Sequence, residues 1–120
     1  MSSLKSYKEL IVWQKSMILV KEIYQITSNF PNEEKFGLTS QMRRSSISIP
    51  SNIAEGWGRL SRKNYIQFLR IARGSLFELE TQVLITKELN YIKETKKQEN
   101  LIVEISKMLN SLIKKLDEKN

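Results

Sequence analysis

The sequence contains neither cysteine nor histidine among its 120 residues. Without cysteine, the chain can form no disulfide bond and no thiolate metal site. Without histidine, it also lacks the commonest general base and the commonest metal ligand. Most familiar catalytic centres therefore cannot be assembled from this chain. We expect a protein that is not an enzyme, with no catalytic residue, no metal and no cofactor.

Long apolar runs are also missing. The first ten residues place Lys5, Lys8 and Glu9 where a secretory signal needs an apolar run. No segment approaches the roughly 18 apolar residues that a membrane span requires. The length suits one domain, over residues 1–120, with a real hydrophobic core. The sequence thus predicts a cytoplasmic protein of one domain that does not enter the membrane.

Apolar residues recur at steps of three and four, which indicates amphipathic helices. Helix 1 is predicted from Ser6, which forms a capping box with Glu9, to about Ser28. Its predicted core stripe consists of Leu10, Trp13, Met17, Val20 and Tyr24. The segment Phe30–Gly37 is predicted to be a connector.

Helix 2 is predicted from about Leu38 to Gly56, and Pro50 interrupts it. Proline removes a backbone hydrogen bond and clashes with the preceding turn, so we expect a kink at that residue. The predicted inward residues are Leu38, Met42, Ile49 and Ile53.

Two further helices complete the pattern. Helix 3 is predicted from a Ser61 cap to about Leu89, with Asn90 as its C-terminal cap. A second capping box, Thr95 with Gln98, opens helix 4. The core stripe of helix 3 is Tyr65, Leu69, Ala72, Leu76, Leu79 and Val83, and that of helix 4 is Ile102, Ile105, Leu109, Leu112 and Leu116. Four such helices with short connections predict an all-α, antiparallel, up-and-down four-helix bundle.

Arginine is confined to one stretch of the chain. With Lys63 added and Glu55 subtracted, residues 43–73 carry 7 − 1 = +6, against +7 for the whole chain. Arginine presents a flat fork of donors that matches phosphate or carboxylate oxygens. We therefore predict a nucleic-acid-binding surface made of Arg43, Arg44, Arg59, Arg62, Lys63, Arg70 and Arg73.

Helical spacing also predicts a second packing surface. Four basic residues of helix 3, Arg62, Lys63, Arg70 and Arg73, fall within a sector of about 100° that points away from the core stripe. Three apolar residues share this sector: Ile66, Phe77 and Leu84. Monomers seldom leave several large apolar groups aligned in water, so these three residues form the predicted oligomer interface.

Two alternatives remain open at this point. The arginines can instead pair with Glu55, Glu78 or Glu80, or with acids of a neighbouring subunit, and so hold an assembly together. Trp57 can stack on a base, as in single-strand binders. For a tryptophan between two glycines, however, plugging the end of the bundle is the favoured interpretation.

Four segments carry a family resemblance: LIVWQK (10–15), LTSQMRRSS (38–46), SIPSNIAEGWGR (48–59) and YIQFLRIARGSLFELETQVL (65–84). They closely resemble the four-helix bundle proteins encoded in intervening sequences of bacterial 23S ribosomal RNA genes, which are often labelled as ribosomal proteins. The resemblance implies an antiparallel bundle that assembles into a pentameric ring. A related protein, the accessory variability determinant of diversity-generating retroelements, is similarly basic and binds nucleic acid and a reverse transcriptase.

Three functional hypotheses follow. The leading one is a non-enzymatic, oligomeric nucleic-acid-binding protein, with RNA or a ribonucleoprotein favoured over DNA and a homopentamer favoured among oligomers. The second is a protein-interaction adaptor whose arginines contact other subunits or an acidic partner. A carboxylate-based enzyme is the least favoured, because no two acids are predicted to converge in a pocket.

Overall fold

Four helices make up most of the protein, and no strand occurs in the part of the chain that the structure describes. The computed structural model describes residues 4–118, so the two ends of the predicted domain, residues 1–3 and 119–120, lie outside it. Short 3₁₀ turns, Tyr7–Glu9 and Asn32–Glu34, precede the first two helices. The helices are α1 (Ile11–Thr27), α2 (Leu38–Trp57), α3 (Arg62–Glu88) and α4 (Lys96–Asp117).

The helices pack as an up-and-down bundle, which confirms the predicted fold. Each helix contacts the next one in the chain, and α4 returns to contact α1. The molecule measures 47 × 23 × 20 Å, so the 27 residues of α3 run along most of its length. The largest fully buried side chains come from all four helices: Leu19, Ile23, Met42, Ile49, Ile53, Leu69, Leu76, Leu79, Val83, Ile102, Ile105 and Leu109. No helix within residues 4–118 is long and apolar enough to cross a membrane.

The start of helix 1 differs from the prediction. Ser6 does act as a cap, because its Oγ accepts a hydrogen bond from the Lys8 amide at 3.1 Å, but it caps the short 3₁₀ turn. Glu9 accepts from the Lys5 amide, not from the amide of Ser6 that a capping box requires. Leu10 is extended (φ −70°, ψ 125°), so α1 begins only at Ile11.

The buried face of α1 also differs from the predicted stripe. The side chains that α1 buries are Val12, Ser16, Leu19, Ile23 and Thr27. Of the predicted stripe, Met17 and Tyr24 are exposed. Ser16 and Thr27 are tolerated inside because their hydroxyls donate to the carbonyls of Val12 and Ile23, each at 2.7 Å. Leu10, Trp13 and Val20 are half-buried, and Leu10 and Trp13 pack against the core, so the predicted stripe lies at one edge of the buried face.

Helix α2 continues through Pro50 and ends at Trp57. Three of its predicted inward residues are fully buried, and the fourth, Leu38, packs against the core. The kink stays a prediction. Gly56 lies inside the helix, where a Cβ added to it would be 2.8 Å from the Cβ of Phe68. Glycine at this position thus lets α2 and α3 approach each other closely.

The predicted ends of α3 are confirmed. The Ser61 Oγ accepts from the Asn64 amide at 3.0 Å and so caps the first turn. Asn90 has a φ of 60°, and the Tyr91 amide donates to the Thr86 carbonyl at 3.0 Å. This is the Schellman arrangement, in which asparagine is one of the few non-glycine residues that accept the left-handed conformation.

Helix α4 begins after Thr95, but the predicted capping box does not form. The Thr95 hydroxyl donates to the Glu99 carboxylate, while the Gln98 amide donates to Glu22 on α1 at 3.2 Å. The core stripe of α4 is confirmed at Ile102, Ile105 and Leu109. Ile113, which the prediction omitted, is buried, whereas Leu112 and Leu116 are half-buried.

A hydrogen bond joins the segment between α1 and α2 to the segment between α3 and α4. The Tyr91 hydroxyl donates to Glu34 Oε2 at 2.8 Å, and the Leu38 amide donates to Oε1 of the same carboxylate at 3.0 Å. These two hydrogen bonds, first from the amide and then from the hydroxyl, lower the pKa of Glu34 below its ordinary value. The carboxylate thereby fixes the start of α2 against the segment between α3 and α4.

Candidate nucleic-acid interface

The first three turns of α3 bring two of the predicted basic residues to a cleft beside the end of α4. Lys63 and Arg70 are seven residues apart, which places them on one side of the helix. They line a cleft of about 350 Å³ with Asn64, Ile66, Gln67 and Asp117. No ion pair joins Asp117 to either cation in the described part of the chain. The cleft therefore holds two positive charges and one negative charge, all accessible to a ligand.

Arg73 extends the basic group along the same side of α3. Its Nη1 donates to the Asn110 Oδ1 on α4 at 2.9 Å. A guanidinium has five N–H donors, so this bond orients Arg73 and leaves donors for a phosphate. Asn110 and Asp117 are seven residues apart on α4, and Lys114 lies between them on the same side. We call Lys63, Arg70, Arg73 and Lys114 the α3/α4 basic face.

Lys114 was not among the predicted site residues. The sequence places it in the charged end of helix 4, where a lysine has no distinguishing feature. Its position becomes informative only once Asn110 is known to contact Arg73. The seven-residue spacing of Asn110 and Asp117 indicates that both residues lie on one side of α4 with Lys114. The sequence does not indicate that this side of α4 lies next to α3.

The apolar strip predicted on this side of α3 is only partly present. Ile66 is 5% exposed and belongs to the hydrophobic core, so its predicted surface position is wrong. Its buried side chain forms part of the wall of the Lys63 cleft. Phe77 and Leu84 are 48% and 44% exposed, and their seven-residue spacing places them on one side of α3. The predicted oligomer surface thus retains two of its three residues.

Arg43 makes contacts across the seam between α1 and α2. Its Nε donates to Thr27 Oγ1 at 2.9 Å, and its guanidinium carbon lies 4.4 Å from the centre of the Tyr24 ring. These contacts tie α2 to the end of α1. The α1/α2 seam lies on the opposite side of the bundle from the α3/α4 basic face, so the two groups do not form one surface.

Arg59 and Arg62 lie near the turn between α2 and α3. Arg59 forms an ion pair with Glu55 at 2.8 Å and lies 4.7 Å from the centre of the Phe68 ring. An ion pair between an arginine and Glu55 is one of the alternatives that the sequence left open. Arg62 is the exposed first residue of α3, one position before Lys63. It therefore stands at the end of the α3/α4 basic face.

Arg44 lies in a separate groove between α2 and α3. The groove has a volume of about 440 Å³, and its other lining residues are Phe36, Ser40, Gln41, Ser45, Ser48, Ser75 and Glu78. Hydrogen bonds cross beneath it from Ser45 to Gln82 at 2.7 Å and between Ser75 and Ser48 at 2.9 Å. Sequence reasoning missed this groove. The serines of helix 2 were a signal of close helix packing, but nothing marked their partners on α3.

Trp57 occupies the end of the bundle. It is half-buried, and its ring meets that of Tyr65 edge-on with 6.5 Å between ring centres. Burial raises the pKa of Tyr65 to about 12. The placement agrees with a plugging role. The seven residues predicted to bind nucleic acid are therefore divided among the α3/α4 basic face, the α2/α3 groove, the α1/α2 seam and the α2–α3 turn.

The sequence matches a known protein family over most of its length. The family model described as 23S rRNA-intervening sequence protein matches residues 8–111. The chain belongs to this family. All four segments on which the sequence resemblance rested, and every residue of the α3/α4 basic face except Lys114, lie within the matched range. None of the proteins with curated descriptions matches the sequence significantly.

A solved structure from Bacteroides thetaiotaomicron is similar to this 23S rRNA-intervening sequence protein. It is described as a protein of unknown function from the S23 ribosomal protein family. The two chains are 30% identical, with a TM-score of 0.78, over 87% of this chain and 99% of the other. The shared bundle therefore covers nearly the whole of the relative.

Proposed function

We propose that this protein is a non-enzymatic, oligomeric nucleic-acid-binding protein of the cytoplasm that prefers RNA or a ribonucleoprotein to DNA. One observation carries the proposal: the folded chain gathers Lys63, Arg70 and Arg73 on one side of α3, beside α4. A row of cations on a rigid helix is suited to a row of phosphates. Arg62 and Lys114 extend the row on the two helices.

The balance of charge supports this function. Residues 43–73 carry +6 of the total +7, and among residues 4–118 the only acid that lines the Lys63 cleft is Asp117. Contacts of this kind release counterions from the nucleic acid, so binding should weaken steeply as salt rises and depend little on base sequence. The family description refers to 23S ribosomal RNA, which favours RNA as the first ligand to test.

The experiment compares wild type with the triple variant Arg62→Ala, Arg70→Ala and Arg73→Ala. Fluorescence anisotropy would measure RNA affinity across a series of salt concentrations. Each phosphate contact contributes about 0.7–0.9 to the slope of log K against log salt, so losing three should lower the slope by about 2–3. Affinity at low salt should fall in parallel.

A charge-matched control separates this surface from general basicity. Lys8, Lys21 and Lys87 are exposed and lie outside the α3/α4 basic face. Their replacement by alanine removes the same three charges and should change the salt slope by much less. If the arginine variant stays folded by circular dichroism and binds RNA at low salt as well as wild type, the proposed function is wrong.

A protein-interaction adaptor is the second candidate, because two of the seven basic residues predicted to bind nucleic acid have partners within the chain instead. Arg43 bonds to Thr27 and Arg59 pairs with Glu55, so both already stabilise the bundle. An adaptor would purify without nucleic acid, as judged by the ratio of absorbance at 260 and 280 nm. In that case, the arginine variants should differ from wild type in the mass measured by light scattering. Neither wild type nor the variants should bind RNA detectably.

A further inference from the structure

The α2/α3 groove is built from parts that the α3/α4 basic face does not use. Its volume of about 440 Å³ lies within the range of about 300–1,000 Å³ that is typical of small-molecule sites. The Ser45–Gln82 and Ser48–Ser75 hydrogen bonds fix the two helices beneath it. Asn52 adds support by donating to the Ser48 Oγ at 2.9 Å. The groove is therefore a shaped depression with a fixed base.

Phe36 lies at one end of this groove with most of its ring in water. It is 88% exposed, although a phenylalanine normally buries a large apolar area when a chain folds. The Lys35 ammonium lies over the ring, 5.5 Å from its centre, and adds a cation at this end of the groove. An uncovered ring beside a polar groove offers a flat surface on which a planar group can stack.

Two charges of opposite sign line the groove on different helices. Arg44 is on α2 and Glu78 is on α3, and no ion pair joins them within residues 4–118. A guanidinium only donates hydrogen bonds and an ionised carboxylate only accepts them. A fitting ligand therefore carries an anionic group toward Arg44, amino hydrogens toward Glu78 and a flat ring toward Phe36.

We propose that the α2/α3 groove binds one unpaired nucleotide of an RNA strand. The base stacks on Phe36, its amino group donates to the Glu78 carboxylate, and the adjoining phosphate contacts Arg44. Proteins that read single-stranded RNA combine aromatic stacking with hydrogen bonds to base edges in this way, and glutamate accepts from the amino group of cytosine. This inference rests on the proposed RNA binding and adds a preference for cytidine over uridine, which has no amino group.

The first test removes the stacking ring. Phe36→Leu keeps an apolar side chain but loses the flat surface, and its exposed position makes a folding defect unexpected. Affinity for a single-stranded oligocytidylate should fall about fivefold or more, because stacking of one base contributes that much or more in other single-strand binders. Affinity for a fully paired RNA duplex should not change. Phe36→Tyr retains a flat ring at the same position and should leave both affinities unchanged.

The second test concerns the base edge. Glu78→Gln supplies an amide that both donates and accepts, so the preference for oligocytidylate over oligouridylate should shrink. Glu88→Gln, at an exposed glutamate at the end of α3, removes the same charge and should retain the preference. Cytidine monophosphate is the probe for a free nucleotide, and it should bind far more weakly than the oligonucleotide.

The outcomes separate this inference from the proposed function. If the arginine triple variant loses RNA affinity while Phe36→Leu and Glu78→Gln behave as wild type, the groove inference is wrong and the proposed function stands. Cytidine monophosphate binding as tightly as the oligonucleotide would make the groove a site for free nucleotides and overturn its role in RNA recognition. If wild type binds no RNA at low salt, both proposals are wrong.

Discussion

At the scale of single residues, Gly56 shows how one missing side chain sets the distance between two helices. A Cβ at this position would meet the Phe68 Cβ at 2.8 Å and the Tyr65 Cδ1 at 3.0 Å. Gly56→Ala should therefore lower the free energy of unfolding by about 1–3 kcal/mol through overpacking. Urea denaturation monitored by circular dichroism would measure the change.

Gly74 provides the matched control for this prediction. It is exposed in the interior of α3, and an added Cβ would have no atom of another element within 4 Å. Gly74→Ala should raise the free energy of unfolding by about 0.5–1 kcal/mol, because alanine loses less backbone entropy in a helix. Equal effects of the two substitutions would contradict the close packing described at Gly56.

Tyr65 makes the stability of the bundle sensitive to alkaline pH. Burial raises its pKa from about 10 to about 12, so the folded protein retains a proton that the unfolded chain has released in this interval. The resulting stabilisation is complete below pH 10 and is lost as the pH rises toward 12. The Tm of Tyr65→Phe should consequently fall less than that of wild type between pH 10 and 12. The exposed Tyr24→Phe should follow wild type.

At the scale of helices, the sequence predicted most of the fold but misassigned one helix face. Helix α3 begins and ends close to the predicted residues because Ser61 and Asn90 are chemically distinctive caps. Helix α1 carries apolar residues on more than one side, so periodicity alone favoured the wrong stripe. Burial of Ser16 and Thr27 was not apparent, since it depends on hydrogen bonds to carbonyls of the same helix.

Two isoleucines of α1 test this reassignment. Ile23 is fully buried and Ile18 is 48% exposed, and they differ only in the side of the helix that they occupy. Ile23→Ala should lower the free energy of unfolding by about 2–5 kcal/mol, as expected for a cavity in the core. Ile18→Ala should change it by about 0.5 kcal/mol or less. The reverse order in chemical denaturation would contradict the buried face described for α1.

At the scale of the whole molecule, the sequence gives the net charge of residues 43–73 directly. The position of each of these charges on the folded surface could not be predicted from it. Arginine counts are explicit in the sequence, but Arg43 meets Thr27 only because α2 returns alongside α1. Likewise, the groove around Arg44 depends on Ser75 and Glu78, which lie about 30 residues further along the chain. Sites of this kind are set by tertiary neighbours, and local patterns carry no information about them.

Exposed apolar side chains lie next to the basic residues of α3 and offer a surface for contact between subunits. Phe77 and Leu84 remain about half exposed on the side of α3 that carries the basic residues. Large apolar groups that stay in water on a folded monomer often mark a surface that another protein covers. A second copy bound there would bring two α3/α4 basic faces together, and several linked faces bind a long polyanion more tightly than one does.

The double variant Phe77→Ser and Leu84→Ser tests this link. If these side chains hold subunits together, light scattering should show the mass falling from that of an oligomer to the 14.1 kDa of one chain. RNA affinity should fall at the same time, although every basic residue is retained, because the advantage of several linked sites is lost. Leu60→Ser, at a fully exposed residue in the α2–α3 turn, should alter neither quantity. An unchanged mass for the double variant would exclude this surface as the contact, and a wild type of 14.1 kDa would exclude the oligomer itself.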